Sequence, residues 1–200
     1  MVKTAREWAE GAFERLKTFK PESILPALKY ANEGAIDDYL NSNGNAYYQW
    51  SACLIDIMKP KQVVELGGAM GVWTICALHY LPQSSKIYSV TLEEHGLEFS
   101  YIQDDYPNLK KIVGDDLDMN NWPKDMKWED TNLIFFDSLH TKKQLTKEVE
   151  LYIPLLKKGT VMLFDDIHMS ELESVWDNLP YDKHDITNPC HYSGYGIAVL

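Results

Sequence analysis

Short, continuous apolar runs that end in glycine or acid constrain this chain more than any other feature. They are Val63-Val64-Glu65-Leu66, Lys86 to Thr91, Lys111-Ile112-Val113, Leu133-Ile134-Phe135-Phe136 and Thr160 to Phe164. Between them lie helix-length segments at Val72 to Tyr80, Gly96 to Asp104 and Thr146 to Leu156. Strands buried on both faces read as unbroken apolar runs, and strands joined through helices run parallel. The pattern predicts an α/β fold, a mostly parallel sheet with helices on both faces. The end of the chain breaks the alternation. His184-Asp185-Ile186 and Gly196 to Leu200 are two strands joined by a loop containing Gly, Pro and Asn, with no helix between them. An antiparallel hairpin closing the sheet is the simplest outcome.

The first part of the chain is helical. Trp8, Ala12, Phe13, Leu16 and Phe19 recur at helical spacing until Pro21. A weaker helical stretch covers Ile24 to Ala31, Asn41 to Asn45 is a loop by composition, and Tyr47 to Met58 is a helix ending before Pro60. Two units are expected: an N-terminal helical segment over 1–45 and the sheet domain over 46–200.

The chain has 200 residues and a formal net charge of −11, enough for one full core and contrary to general nucleic-acid affinity. No run approaches the ~20 apolar residues of a membrane helix. The charged start, Met1 to Glu7, is unlike a signal peptide, so the cytoplasm is the expected address. Cys53, Cys76 and Cys190 show no metal or redox spacing. The first two lie in apolar helices, whereas Cys190 lies in a polar loop with exposure expected.

In an open parallel sheet, ligands bind beyond the carboxyl ends of the strands. Glu65-Leu66-Gly67-Gly68-Ala69-Met70-Gly71 follows the first strand, and its glycines let backbone approach a ligand closely. It departs from the Gly-x-Gly-x-x-Gly dinucleotide fingerprint, and its acid suits an amino acid's ammonium. After the second strand, Thr91 and Glu93 share a strand face and can meet ribose hydroxyls. After the third, Gly114-Asp115-Asp116 offers a carboxylate for an adenine amino group, an N-cap role competing for one of the two. Asp137 after the fourth strand and Asp165-Asp166 after the fifth bring three carboxylates together. These repel unless a cation such as Mg²⁺ sits among them. His140, just past Asp137, is a candidate general base titrating near neutrality.

Taken together, these residues resemble the class I S-adenosylmethionine-dependent methyltransferases over about Tyr47 to Leu200. Within that class, the likeness is to metal-dependent small-molecule O-methyltransferases of the catechol and caffeoyl-CoA type. The resemblance implies a Rossmann-like seven-stranded sheet, parallel with a terminal antiparallel strand. It implies S-adenosyl-L-methionine held by Glu65, Gly67, Gly68, Ala69, Gly71, Thr91, Glu93, Asp115 and Asp137, and Mg²⁺ or a similar ion on Asp137, Asp165 and Asp166. Asp137 and His140 would be the catalytic pair, on a small hydroxylated acceptor, without nucleic acid or membrane, in a homodimer. The N-terminal helices and the segment carrying Tyr47, Tyr48 and Trp50 would form a lid, with core or subunit contact the alternative for those aromatics. The catechol-type lysine base is His140 here, and Thr91 stands where a ribose-binding acid is customary. Hydroxylase-like oxygen chemistry and a non-catalytic cofactor-binding module stay open on the same fold, and an NAD-dependent oxidoreductase fits the glycine spacing less well.

Overall fold

The computed structural model describes residues 2–30, 39, 46–69, 71–93, 105–169 and 171–200. In chain order the helices and strands are α1 (Ala5–Leu16), α2 (Ala46–Met58), β1 (Gln62–Leu66), α3 (Val72–Tyr80), β2 (Lys86–Thr91) and β3 (Leu109–Val113). They continue with β4 (Leu133–Phe136), α4 (Lys142–Tyr152), β5 (Val161–Asp165), α5 (Leu172–Asn178), β6 (Asp182–Asp185), the single turn α6 (Thr187–Cys190) and β7 (Tyr195–Val199). The sheet has seven strands in the order β3-β2-β1-β4-β5-β7-β6. β1 to β5 pair in parallel, and β7 runs antiparallel between β5 and β6. Because the order reverses between β1 and β4, their loops part there and open a crevice.

The central strands β1, β4, β5 and β7 are buried throughout, as their unbroken apolar runs require. One face carries Val63, Phe135, Leu163 and Ile197 against α1, α2 and α3, and the other carries Val64, Ile134, Phe136 and Phe164 against α4 and α5. Two boundaries differ from expectation. α4 begins at Lys142, because the Thr141 side chain caps it by accepting from Gln144 N at 3.3 Å. It ends in a tight turn over Ile153–Leu155, where Pro154 has no N–H to continue the helix. The helix expected over Gly96 to Asp104 falls outside the described residues, and the described part of the Ile24–Ala31 stretch, 24–30, is a turn plus a short 3₁₀ segment, Ala27–Tyr30.

α1 is fixed at its start by reciprocal bonds between Thr4 and Glu7: Glu7 N donates to Thr4 Oγ1 at 3.2 Å and Thr4 N to Glu7 Oε2 at 2.7 Å. Its fully buried residues are Ala5, Ala9 and Ala12, small enough for α2 to approach closely, with Trp8, Phe13 and Leu16 packing along the flanks. The lid expected from the N-terminus is corrected here. Ala5 N donates to Asp182 Oδ2 at 2.6 Å, and Asp182 is level with Val199 and Val161, at the strand-start edge of the sheet. Tyr39 donates to Pro21 O at 2.9 Å, and Ser23 lies 3.4 Å from Tyr80 at the end of α3. These described residues support the far edge instead of covering the carboxyl ends. Cys190 is also corrected: it is fully buried with Cys53 and Cys76, and burial pushes its thiol up to about 12. Among the described residues, no helix is long and apolar enough to cross a membrane.

Candidate functional site

At the end of β1 the chain turns against β4 with no room for a side chain. Gly67 has φ +95°, and a Cβ there would lie 1.8 Å from the Asp137 carbonyl oxygen. Gly67 N and Gly68 N both donate to Val90 O, at 3.0 and 2.9 Å, and Asp137 N donates to Leu66 O at 2.9 Å. The loop is thereby held to β2 and β4 by backbone alone. Gly71, with φ +76°, then starts α3. Met70 lies outside the described residues.

Glu65 is not where it was expected. It is 1% exposed, beneath the loop, where it accepts from the Thr74 hydroxyl and is hydrogen-bonded to Ser89. Burial is the main reason its pKa rises to about 7. A carboxyl facing two buried hydroxyls supports the glycine turn from below and leaves ligand contact to the backbone above it.

Above the loop lies a cleft of about 540 Å³, lined by Gly67, Ala69, Thr91, Glu93, Asp116, Asp137 and their neighbours. Such a volume suits a small-molecule cofactor. Thr91 Oγ1 donates to Glu93 O at 3.1 Å, tying the turn after β2 to itself. Leu92 and Leu139 both line the cleft, yet are 69% and 66% exposed, two apolar faces on its rim. Of the Asp115–Asp116 pair, Asp115 is the turn residue: its Oδ1 accepts from Leu117 N at 2.9 Å. Asp116 is the buried one. Gln144 Nε2 donates to its Oδ1 at 2.9 Å, while Oδ2 is buried with no partner. An orphaned acceptor in a cleft wall is costly unless a ligand donates to it, which makes Asp116 Oδ2 the atom of this pair most in need of a donor. Behind Asp116, Glu148 is 1% exposed and takes hydrogen bonds from Ser138 and from Gln144 (2.9 Å). Burial first, and then Asp116, push its pKa up to about 8.

The other half of the rim is dense with charge. His140 bridges two acids, with Nε2 3.2 Å from Asp137 Oδ1 and Nδ1 2.8 Å from Asp166 Oδ2. Those bonds, Asp137 first, raise its pKa to about 10. Both nitrogens therefore carry protons, which corrects the expectation of a free base near neutrality. Asp165 is raised well above the usual carboxylate range by burial, then by Asp137 and Asp166. Its Oδ1 is buried without a hydrogen-bond partner. Burial also acts to raise Asp166, but hydrogen bonds from His140 and Ser193 bring it below the usual value. Asp166 adopts φ +55°, a left-handed turn that aims its carboxylate back at His140. Among the described residues, two ligand sets lie within 4.8 Å: Asp137, His140 and Asp165, and Asp165, Asp166 and His191.

Asp137 belongs to both halves, since it lines the cleft and anchors the acidic cluster. Leu92, Leu139, Gln144 and His191 join the site without having been singled out. Gln144 lies one turn into α4, and His191 arrives from the β6–β7 connection, so neither carries a motif signal. Trp50 is fully buried core, whereas Tyr47 reaches the site with its ring 4.8 Å from that of His191. Glu94 and His95 lie outside the described residues. A wider hollow of about 760 Å³, along Val149, Ile153 and Leu200, is separate from this rim and brings together no such cluster.

A sheet in this order, with an antiparallel β7 between β5 and β6 and a glycine turn after β1, defines the class I methyltransferase fold. The chain belongs to the methyltransferase-domain family, which matches residues 64–167, and is an S-adenosylmethionine-dependent methyltransferase. It is similar in structure to an O-methyltransferase from Bacillus cereus solved in complex with SAH (16% identity, 91% of this chain and 92% of that chain covered, TM-score 0.62). It is likewise similar to a methyltransferase from Geobacter sulfurreducens (13% identity, 88% of both chains covered, TM-score 0.61). A third similar structure, from Staphylococcus aureus, is assigned as a caffeoyl-CoA O-methyltransferase (17% identity, 76% of this chain and 81% of that chain covered, TM-score 0.61). No curated protein matches the sequence.

Proposed function

We propose that the chain is a divalent-metal-assisted O-methyltransferase acting on a small hydroxylated molecule. The observation that carries this is the position of Asp137, at once the end of the cofactor cleft and the edge of the carboxylate cluster. S-adenosylmethionine, when bound, supplies a methyl group activated by its sulfonium. Gly67, Gly68, Ala69 and Gly71 offer it bare backbone, Asp116 Oδ2 an acceptor for its adenine amino group, and Leu92 and Leu139 apolar faces for the ring. Thr91 and Glu93, on the cleft wall after β2, are the groups offered to its ribose.

Asp137 and Asp166 flank Asp165 as carboxylate donors for a divalent ion; Asp165 belongs to both ligand sets, and its partnerless Oδ1 is the atom that most needs a cation. Such an ion acidifies and orients an acceptor hydroxyl. The residues around it do the positioning. His140 ties Asp137 to Asp166 through its two nitrogens, Ser193 donates to Asp166, and Tyr47 closes the side toward α2. The hydroxyl's proton would go to a carboxylate oxygen of Asp137, whose pKa burial raises, because both nitrogens of His140 already carry protons. In-line transfer then needs only that the oxygen and the methyl meet beside Asp137.

The test is transfer of labelled methyl from S-adenosylmethionine to catechols and other adjacent-diol acceptors, with Mg²⁺ or Mn²⁺ present. Label is expected in the acceptor, with turnover falling about 100-fold on chelation or in Asp165→Asn. Transfer that ignores both treatments rejects metal assistance. Label found only on nitrogen or carbon rejects O-methylation.

A further inference from the structure

The turn between β6 and β7 delivers an imidazole into the carboxylate cluster. His191 is 8% exposed, with Nδ1 3.9 Å from Asp165 Oδ1 and 3.7 Å from Asp166 Oδ1. Atoms bonded at about 2.1 Å to one cation lie roughly 3.0–3.4 Å apart at octahedral or tetrahedral angles. The two His191 distances therefore exceed that spacing by only about half an ångström, and all three ligand groups lie within 4.8 Å of one another. Asp165 Oδ1, one corner of this triangle, is the buried acceptor without a partner.

The turn is built to hold that imidazole still. His168 N donates to Ser193 O at 2.9 Å, and a Cβ on Gly194, at φ +114°, would come within 2.5 Å of His168 N. The connection is thus pressed onto the residues that follow β5. His191 N donates to Thr187 O at 2.8 Å, and the ring lies between Tyr47, edge-on at 4.8 Å, and Tyr192, stacked at 4.9 Å. Ser193 Oγ donates to Asp166 Oδ1 and, without an ion, accepts from His191 Nδ1 at 2.8 Å, a hydrogen bond that a cation on that nitrogen would replace.

We propose that His191 is a metal ligand beside Asp165 and Asp166, and that it makes the centre select a later first-row transition cation over magnesium. Carboxylate and water sets suit Mg²⁺, Ca²⁺ and Mn²⁺, whereas imidazole favours iron, cobalt, nickel and zinc. The inference rests on the metal-assisted reading above and names which ion class that site takes.

The test uses full-length protein stripped with chelator, then titrated with cobalt(II) alone and with magnesium alone. Visible absorption and calorimetry are the readouts, and SAH binding is measured on every variant. Wild type is expected to take up one cobalt with visible d–d bands. His191→Ala should weaken cobalt about 10- to 100-fold and shift the bands, leaving magnesium within about three-fold and SAH binding intact. His184→Ala, a histidine on edge strand β6, should change nothing. His191→Gln serves if the alanine variant fails to fold. Cobalt affinity and bands unchanged without the imidazole overturn the proposal, as does a wild type that takes up no cobalt. Failure of wild type to bind SAH defeats the cofactor reading itself, which separates the two outcomes.

Discussion

The two halves of the rim solve opposite problems. Around β1, β2 and β3 the cleft is made by backbone: Gly67 and Gly68 hang on Val90 O, and the acid beneath them, Glu65, is turned away and satisfied by hydroxyls. Around β4, β5 and β7 it is made by charge: of three carboxylates, Asp137 and Asp166 share one bridging imidazole, and Asp165 Oδ1 has no partner. In the first half, a backbone cradle, Asp116 Oδ2 is the buried cleft-wall acceptor without a partner among the described residues. The second concentrates like charge in a buried place, an arrangement that an added cation relieves. A cofactor can therefore bind the first half with little change, while the second should respond strongly to ions.

The contrast is broken most severely at its seam. Gly67→Val puts a side chain where 1.8 Å separates an ideal Cβ from Asp137 O. SAH affinity measured by calorimetry should fall more than about 100-fold, because backbone has to move. Within the cradle, Asp116→Ala removes the orphaned acceptor and should weaken SAH about 10-fold in the same measurement. In the charged half, millimolar Mn²⁺ should raise the melting temperature of wild type by several degrees, through binding to the folded state alone. Asp165→Asn should abolish that rise, yet make the ion-free protein about 1 kcal/mol more stable by removing one of three crowded carboxylates.

The smallest effect concerns Glu148. Its folded pKa of about 8 lies above the ordinary 4.5, so between those values the folded chain binds more protons than the unfolded chain. Stability from this group therefore falls as pH rises from about 4.5 to about 8 and is flat beyond. Thermal melts across that window should be shallower for Glu148→Gln than for wild type. Parallel slopes would mean that Glu148 is already ionised in the fold.

Strands and their order of appearance were legible because burial on both faces writes itself as unbroken apolar runs, and β2 and β4 matched to the residue. The sites at strand ends were legible for the same reason, since acid directly after a buried strand is conspicuous. Side-chain direction was not. Glu65 points down, and of the two cleft-lining acids Asp115 and Asp116 it is Asp116 that is buried with an unpartnered oxygen, because each outcome depends on partners distant in sequence, Ser89 in one case and Gln144 in the other. His140 was misjudged in protonation because Asp166, which holds its second nitrogen, arrives from another strand. His191 carried no signal at all, for its place is set by how Gly194 and Ser193 pack on His168. The lid expected over 1–45 failed in its described part because alanines on α1 fit it closely to α2 instead.

Calorimetry of the purified wild-type protein with SAH, without metal and again with saturating Mn²⁺, tests the division of labour most directly. The account predicts measurable one-to-one binding in both conditions, with metal altering affinity by no more than a few-fold. Absence of binding by a folded protein, or binding seen only with metal, contradicts it.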